Sequence, residues 1–221
     1  MSPAWAQLAE PAPRLLAAAW VRASDAAMDL RGVGVLGPAS EDAQAVTPCV
    51  PNGTIERWLV MSWIGAHPDA GDPLLAALWR LEEEARATGL PTLVLRLAPL
   101  ISRHAPLLSL LAQRPALDAR LARALIQPVL EADVVAGIVR FLTGAGSWND
   151  WYKACGPDAI SVGELAQFAQ AGQFGQVAAL PAWEPSPAVL RAQGLSERDA
   201  WTRATGLAPR SVLAATPQVT A

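Results

Sequence analysis

Arg57-Trp-Leu-Val-Met-Ser62 is an apolar run too short for a helix and flanked by turn residues, the pattern of a central strand buried in a parallel sheet. After it, Asp72 stands where a helix cap belongs, Pro73 at the first helical position and Gly89 past the last turn. They enclose a predicted helix with an apolar stripe of Leu74, Leu78, Leu81 and Ala85; Glu82, Glu83 and Glu84 are expected mostly on its solvated side. Pro91-Thr-Leu-Val-Leu-Arg-Leu97 is the next strand. Strand, helix and strand over about forty residues is the pattern of a right-handed parallel crossover, so the chain reads as α/β.

Upstream, Val33 to Leu36 is a short apolar run bounded by Gly32, Gly37 and Pro38, which suits a buried strand, after a helix predicted over 13–30 and before a loop over 38–53. Downstream, helices are predicted over 105–112 and 133–143 and a strand over 151–154. Ser161-Val-Gly-Glu164 is a capping box opening a helix to about residue 171. Beyond Pro181 the chain is rich in proline, with one helix predicted over 196–205. The expected organisation is a domain over 1–180 followed by an extension over 181–221.

Composition narrows the function classes. A length of 221 residues supports a substantial core without disulfides or metals. With 52% hydrophobic and 17% charged residues, apolar surface is left over for a partner. A net charge of −3 with scattered arginines lacks the footprint of a nucleic-acid binder. Cys49 and Cys155 have no His or Cys at metal-ligand spacing, so no metal is expected, and buried thiols fit a reducing compartment. The start lacks a basic n-region, and the charge-poor window over 165–183 holds Gln167, Gln170, Gln173 and Gln176. A soluble cytoplasmic protein with no transmembrane segment is expected.

Five stretches occur in the order and spacing of one family: Arg57-Trp-Leu-Val-Met-Ser-Trp-Ile-Gly-Ala66, the helix ending Glu83-Glu84-Ala-Arg-Ala-Thr-Gly-Leu90, Pro91-Thr-Leu-Val-Leu-Arg96, Glu131-Ala-Asp133-Val-Val, and Gly156-Pro-Asp-Ala-Ile-Ser-Val-Gly-Glu-Leu165. Over roughly half its length the chain resembles an atypical short-chain dehydrogenase/reductase of the NmrA-like kind. The resemblance implies a Rossmann-like parallel sheet flanked by helices, truncated at the N-terminus, with a small C-terminal helical extension. It makes Val33–Leu36 the family's fourth strand, an open edge that a protein partner or a second copy would cover. It also places the family's tyrosine and lysine on Leu74 and Leu78, and leaves Ser62 as the one retained hydroxyl, Trp63 standing where a second serine belongs. Leucine is neither acid nor base, so hydride chemistry assisted by that pair is excluded. The one tyrosine, Tyr152, adjoins the one lysine, Lys153, and adjacent strand residues face opposite sides. A half-buried tyrosine beside a solvated lysine is the expected arrangement.

The remaining candidates each have a bland reading. Gly32-Val-Gly34-Val-Leu-Gly37 matches the dinucleotide fingerprint in letters, but a helix precedes it and a loop follows, so a glycine-rich strand is the preferred reading. His67 follows the Gly65-Ala66 turn, where open α/β sheets bind ligands, although a solvated loop histidine is commoner. Arg103 and His104 begin a helix that an anion would favour, with a surface role preferred. The resemblance places Asp133 in the family's Val-Asp-Asp-Val region, which implies a structural role as cap of the next helix. Trp148 and Trp151 are packing or interface residues.

The expectation is therefore a non-catalytic accessory or scaffold subunit with no cofactor. The alternatives are an NAD(P)-dependent oxidoreductase or epimerase of the atypical class, using Ser62 and His67, and an NmrA-like dinucleotide sensor.

Overall fold

The structure is a computed structural model that describes residues 33–36, 55–102, 106–113, 117–144, 146–173, 187–192, 194–197 and 199–214. The helix predicted over 13–30, together with Gly32, Gly37, Cys49, Arg103 and His104, lies outside the described residues.

Strands β1 (Val33–Leu36), β2 (Arg57–Trp63) and β3 (Thr92–Leu97) lie side by side in one sheet, joined after β3 by β7 (Asp150–Ala154), in the order β1-β2-β3-β7. Every pairing is parallel. Helix α1 (Pro73–Ala87) makes the crossover from β2 to β3. Its start follows the sequence signals: Asp72 accepts the Leu74 N–H at 2.9 Å, and Pro73 occupies the first turn, where its missing N–H costs nothing. Past its end Gly89 turns the chain at φ +73°, a left-handed conformation that favours glycine.

The buried face of α1 carries Leu75, Leu78, Leu81, Glu82 and Ala85. Two expectations are thereby corrected. Leu74 is only half-buried while Leu75 is fully packed, and Glu82 is fully buried rather than solvated. The spacing of Leu75, Leu78, Glu82 and Ala85 follows the helical repeat, and Glu82 shares that stripe because Arg96 of β3 meets its carboxylate.

Helix α2 (Pro106–Gln113) follows the short strand β4 (Leu100–Ile101). Then come α3 (Ala119–Ala122), β5 (Leu125–Ile126), β6 (Val129–Leu130), α4 (Glu131–Leu142), β8 (Ile160–Ser161), α5 (Val162–Gln170), α6 (Pro187–Ala192) and α7 (Ala200–Thr205). The two-residue strands form two small ladders, β4 with β6 in parallel and β5 with β8 antiparallel, which are too short to show a period in sequence. The capping box forms as read: Ser161 Oγ accepts the Glu164 N–H at 3.1 Å, and Glu164 Oε2 accepts the Ser161 N–H at 2.8 Å.

The layering is α/β/α. On one sheet face α1 packs against Trp58, Val60 and Val94; on the other, Leu59, Met61, Leu93 and Leu95 meet Val134, Val135, Ile138 and Phe141 of α4 and Trp201 of α7. A further core joins Leu108 and Leu111 of α2, Leu165 of α5, Leu190 of α6 and Val212. The described part of the C-terminal extension is thus anchored in both of the last two cores. Asp133 does not cap α4, whose cap position is Leu130; its carboxylate instead accepts the Arg210 N–H at 2.8 Å and Nε–H at 2.9 Å. Asp158 likewise accepts Ser211 Oγ–H at 2.9 Å and the Val212 N–H at 2.7 Å. Among the described residues no helix is long and apolar enough to cross a membrane.

Candidate functional site

The C-terminal end of β2 carries the two candidates that sequence singled out, and the fold separates them. Ser62 faces the α1 side by strand alternation, is fully buried, and its Oγ has no hydrogen-bond partner among the described residues. His67 lies five residues on, past the turn, with its side chain 61% exposed. Gly65 makes this turn at φ +99°, and a Cβ there would stand 2.9 Å from Ala192 Cβ, so α6 rests directly on the turn. The His67 ring lies against Trp79 of α1, centroids 5.9 Å apart, and its Nδ1 accepts the Asp69 N–H at 3.1 Å. With Nδ1 occupied as acceptor, the neutral ring presents its proton on Nε2. That atom suits a hydrogen-bond donor to a carbonyl or hydroxyl oxygen; the Nδ1 bond itself does no more than close the turn.

Leu74 and Leu78, on which the sequence resemblance puts the family's tyrosine and lysine, are spent on packing. Leu78 is 2% exposed in the core beneath α1, and Leu74 packs at its margin. Gly34 sits in mid-strand, paired with Trp58. Tyr152 and Lys153 face apart as expected: Tyr152 packs on Phe141 with ring centroids 4.8 Å apart and its hydroxyl accepts the Ser147 N–H at 2.8 Å. Lys153 is half-buried rather than fully solvated, its Nζ 5.8 Å from the Trp151 ring.

The most heavily built polar group was not singled out from sequence. Arg96 Nε donates to Glu82 Oε1 at 3.0 Å and Nη2 to Oε2 at 2.7 Å, a two-pronged pair in which the carboxylate is fully buried. Arg86 adds a second cation 3.7 Å from Glu82 Oε2, and the rings of Trp79 and Trp151 lie 5.4 and 4.9 Å from the Arg96 guanidinium carbon. Parallel register sets Ser62, Arg96 and Lys153 in one row across the α1 face. An arginine inside the otherwise apolar Leu93-Val-Leu-Arg-Leu97 was the signal available, since a buried guanidinium demands a carboxylate. Cys155 is buried, and desolvation raises its thiol pKa above the ordinary value.

With this geometry in place, the comparisons assign the fold. No protein-family model and no curated protein matches the chain. Solved structures do. The UDP-glucose 4-epimerase of Thermotoga maritima, crystallised with UDP-glucose, matches at 17% identity and TM-score 0.54 over 75% of this chain and 62% of its own. A nucleoside-diphosphate-sugar epimerase of Staphylococcus aureus matches at 13% identity and TM-score 0.51 over 71% and 63%. The epimerase Mth375 of Methanothermobacter thermautotrophicus matches at 12% identity and TM-score 0.51 over 74% and 58%.

The fold is the Rossmann-like fold of these epimerases. The chain spans less than two thirds of the length of each. One expectation is overturned by the likeness. A cofactor-free protein was expected, but a fold shared with enzymes of nucleotide-linked sugars points to a nucleotide cofactor rather than none. The leucines bear on proton transfer, and a dinucleotide is held by other parts of such a fold.

Proposed function

We propose that the chain is an NAD(P)-dependent oxidoreductase or epimerase of the atypical short-chain dehydrogenase/reductase class, with a nucleoside-diphosphate sugar as the substrate class. The observation that carries this reading is the parallel order β1-β2-β3-β7 with α1 as crossover, in a fold shared with UDP-glucose and nucleoside-diphosphate-sugar epimerases. That likeness favours an enzyme over a scaffold subunit.

Among the described residues, no glycine turn opening a helix provides a pyrophosphate cradle, and Gly34 lies within a strand. They therefore do not fit the dinucleotide's phosphates. On the protein side, Leu74 and Leu78 move no protons, and Ser62 is enclosed. The exposed Nε2–H of His67 is the group assigned to the substrate oxygen, displaced from the positions that the resemblance indicates. A dinucleotide sensor without turnover is the second reading, favoured by those same leucines.

Titration of the purified full chain with NAD⁺, NADH, NADP⁺ and NADPH by calorimetry tests binding, and saturable uptake of at least one is expected. Failure of all four refutes both readings. UDP-glucose is then added to the loaded protein. Turnover lost in His67→Ala supports the enzyme, binding without turnover leaves the sensor, and turnover untouched by that change refutes the role of His67.

A further inference from the structure

His67 and the buried Glu82–Arg96 pair share a neighbour, the indole of Trp79. Trp79 and Glu82 stand three residues apart on α1 and therefore on one flank of the helix. Arg96 reaches that flank from β3, its Nε and Nη2 locked onto the two Glu82 oxygens at 3.0 and 2.7 Å. The guanidinium held in this way lies 5.4 Å from the Trp79 ring, within the range of cation–π attraction. Trp79 is half-buried and packs against the core beneath α1, so its indole is fixed by the pair on one side and by the core on another.

His67 has two restraints, and they act on different degrees of freedom. The Asp69 N–H holds Nδ1 at 3.1 Å but leaves the imidazole free to swing about that bond. The Trp79 ring, with centroids 5.9 Å apart and an interplanar angle of 43°, stops the swing. The Asp69 carboxylate is no substitute, because its oxygen stands 3.8 Å from Nδ1 and its side chain is 89% exposed. With both restraints in place the Nε2–H has one direction, as a hydrogen bond to a substrate in a fixed pose requires.

We propose that Trp79 is a positioning residue for His67, and that the buried Glu82–Arg96 pair acts through Trp79 to set the direction of the Nε2–H donor. This role rests on the reading of His67 as donor to the substrate oxygen. It gives the ion pair a task that packing alone does not: apolar side chains of similar volume fill the same space but exert no cation–π hold on the indole.

The test uses the full chain labelled with ¹³C and ¹⁵N, its His67 signals assigned by their loss in His67→Gln. Three-bond couplings from His67 Cγ to its backbone nitrogen and carbonyl carbon report the χ1 rotamer, and turnover of UDP-glucose by the cofactor-loaded protein reports the site. The wild type should show one rotamer, with nuclear Overhauser contacts between the His67 ring and the Trp79 indole. Trp79→Leu and the double variant Glu82→Leu/Arg96→Met should both average the couplings and lower kcat about tenfold or more, with KM within about twofold. Trp79→Phe, which keeps a ring beside His67, should retain the single rotamer. The double variant keeps Trp79 itself, so its effect on His67 is read even if Trp79→Leu does not fold. A single His67 rotamer in the double variant overturns the proposal, as does an averaged one in the wild type or an unchanged kcat in both variants. Absence of wild-type turnover refutes the donor reading instead, and the couplings still decide whether the pair orders the ring.

Discussion

Arg96 shows how one side chain sets the demands on its surroundings. A guanidinium inside an apolar strand is tolerated because Glu82 closes on it with two short hydrogen bonds, so neither charge is buried alone. Arg96→Leu should therefore cost about 3–5 kcal/mol, because the fully buried Glu82 carboxylate loses its main partner. Glu82→Leu combined with Arg96→Met should cost much less than the two single changes summed. Urea unfolding of the four proteins checks this, and additive losses would contradict it. Leu78, 2% exposed, should cost about 2–5 kcal/mol as Leu78→Ala, read in the same way. Cys155 should react with a disulfide reagent at neutral pH only after denaturant is added, since burial holds its thiol neutral. The burial of Leu78 was legible in the apolar stripe of its helix. The Glu82–Arg96 pair was not, because a carboxylate in a run of three glutamates reads as solvated until the strand opposite it is known.

At the scale of the element, local signals carried far. The caps of α1 and α5 form where Asp72, Pro73 and the Ser161–Glu164 box predicted them, because a cap is satisfied within a few residues of chain. Ser161→Ala should cost about 1 kcal/mol by leaving the Glu164 N–H without its acceptor. The hydrogen bonds from the Ser161 backbone and side chain lower the Glu164 pKa below its ordinary value. A lowered carboxylate pKa adds stability that is present above the unfolded pKa and is lost as pH falls through the folded one. Ser161→Ala should thus weaken the acid-side decline of stability, measured as the urea midpoint against pH, and an unchanged decline would deny the link. Asp133 is the counter-example: the resemblance implied a cap for the next helix, yet it binds Arg210, a partner 77 residues away. Gly137 of α4 is a tighter constraint still, since a Cβ there would lie 2.0 Å from the Trp201 ring. Gly137→Ala should push α7 off the sheet and redden the tryptophan emission; an unmoved spectrum would show that Trp201 packs elsewhere.

For the whole molecule, the described part of the C-terminal extension contributes to the cores. Leu190, Trp201 and Val212 are each at most 2% exposed and are held down by Asp133, Asp158 and Gln127. A chain ended after residue 186 should bind a hydrophobic dye and lose cooperative unfolding, whereas a cooperative, dye-free product would make the extension dispensable. The α/β class, the crossover through α1 and the strand at Val33–Leu36 were all determined by sequence alone. They depend on period, punctuation and residue type, which are local properties. Only the tertiary structure decided that Glu82 turns inward and that Ser62 is enclosed while His67 is exposed. Each of these depends on which distant segment packs opposite a residue, and spacing along a chain carries no record of that.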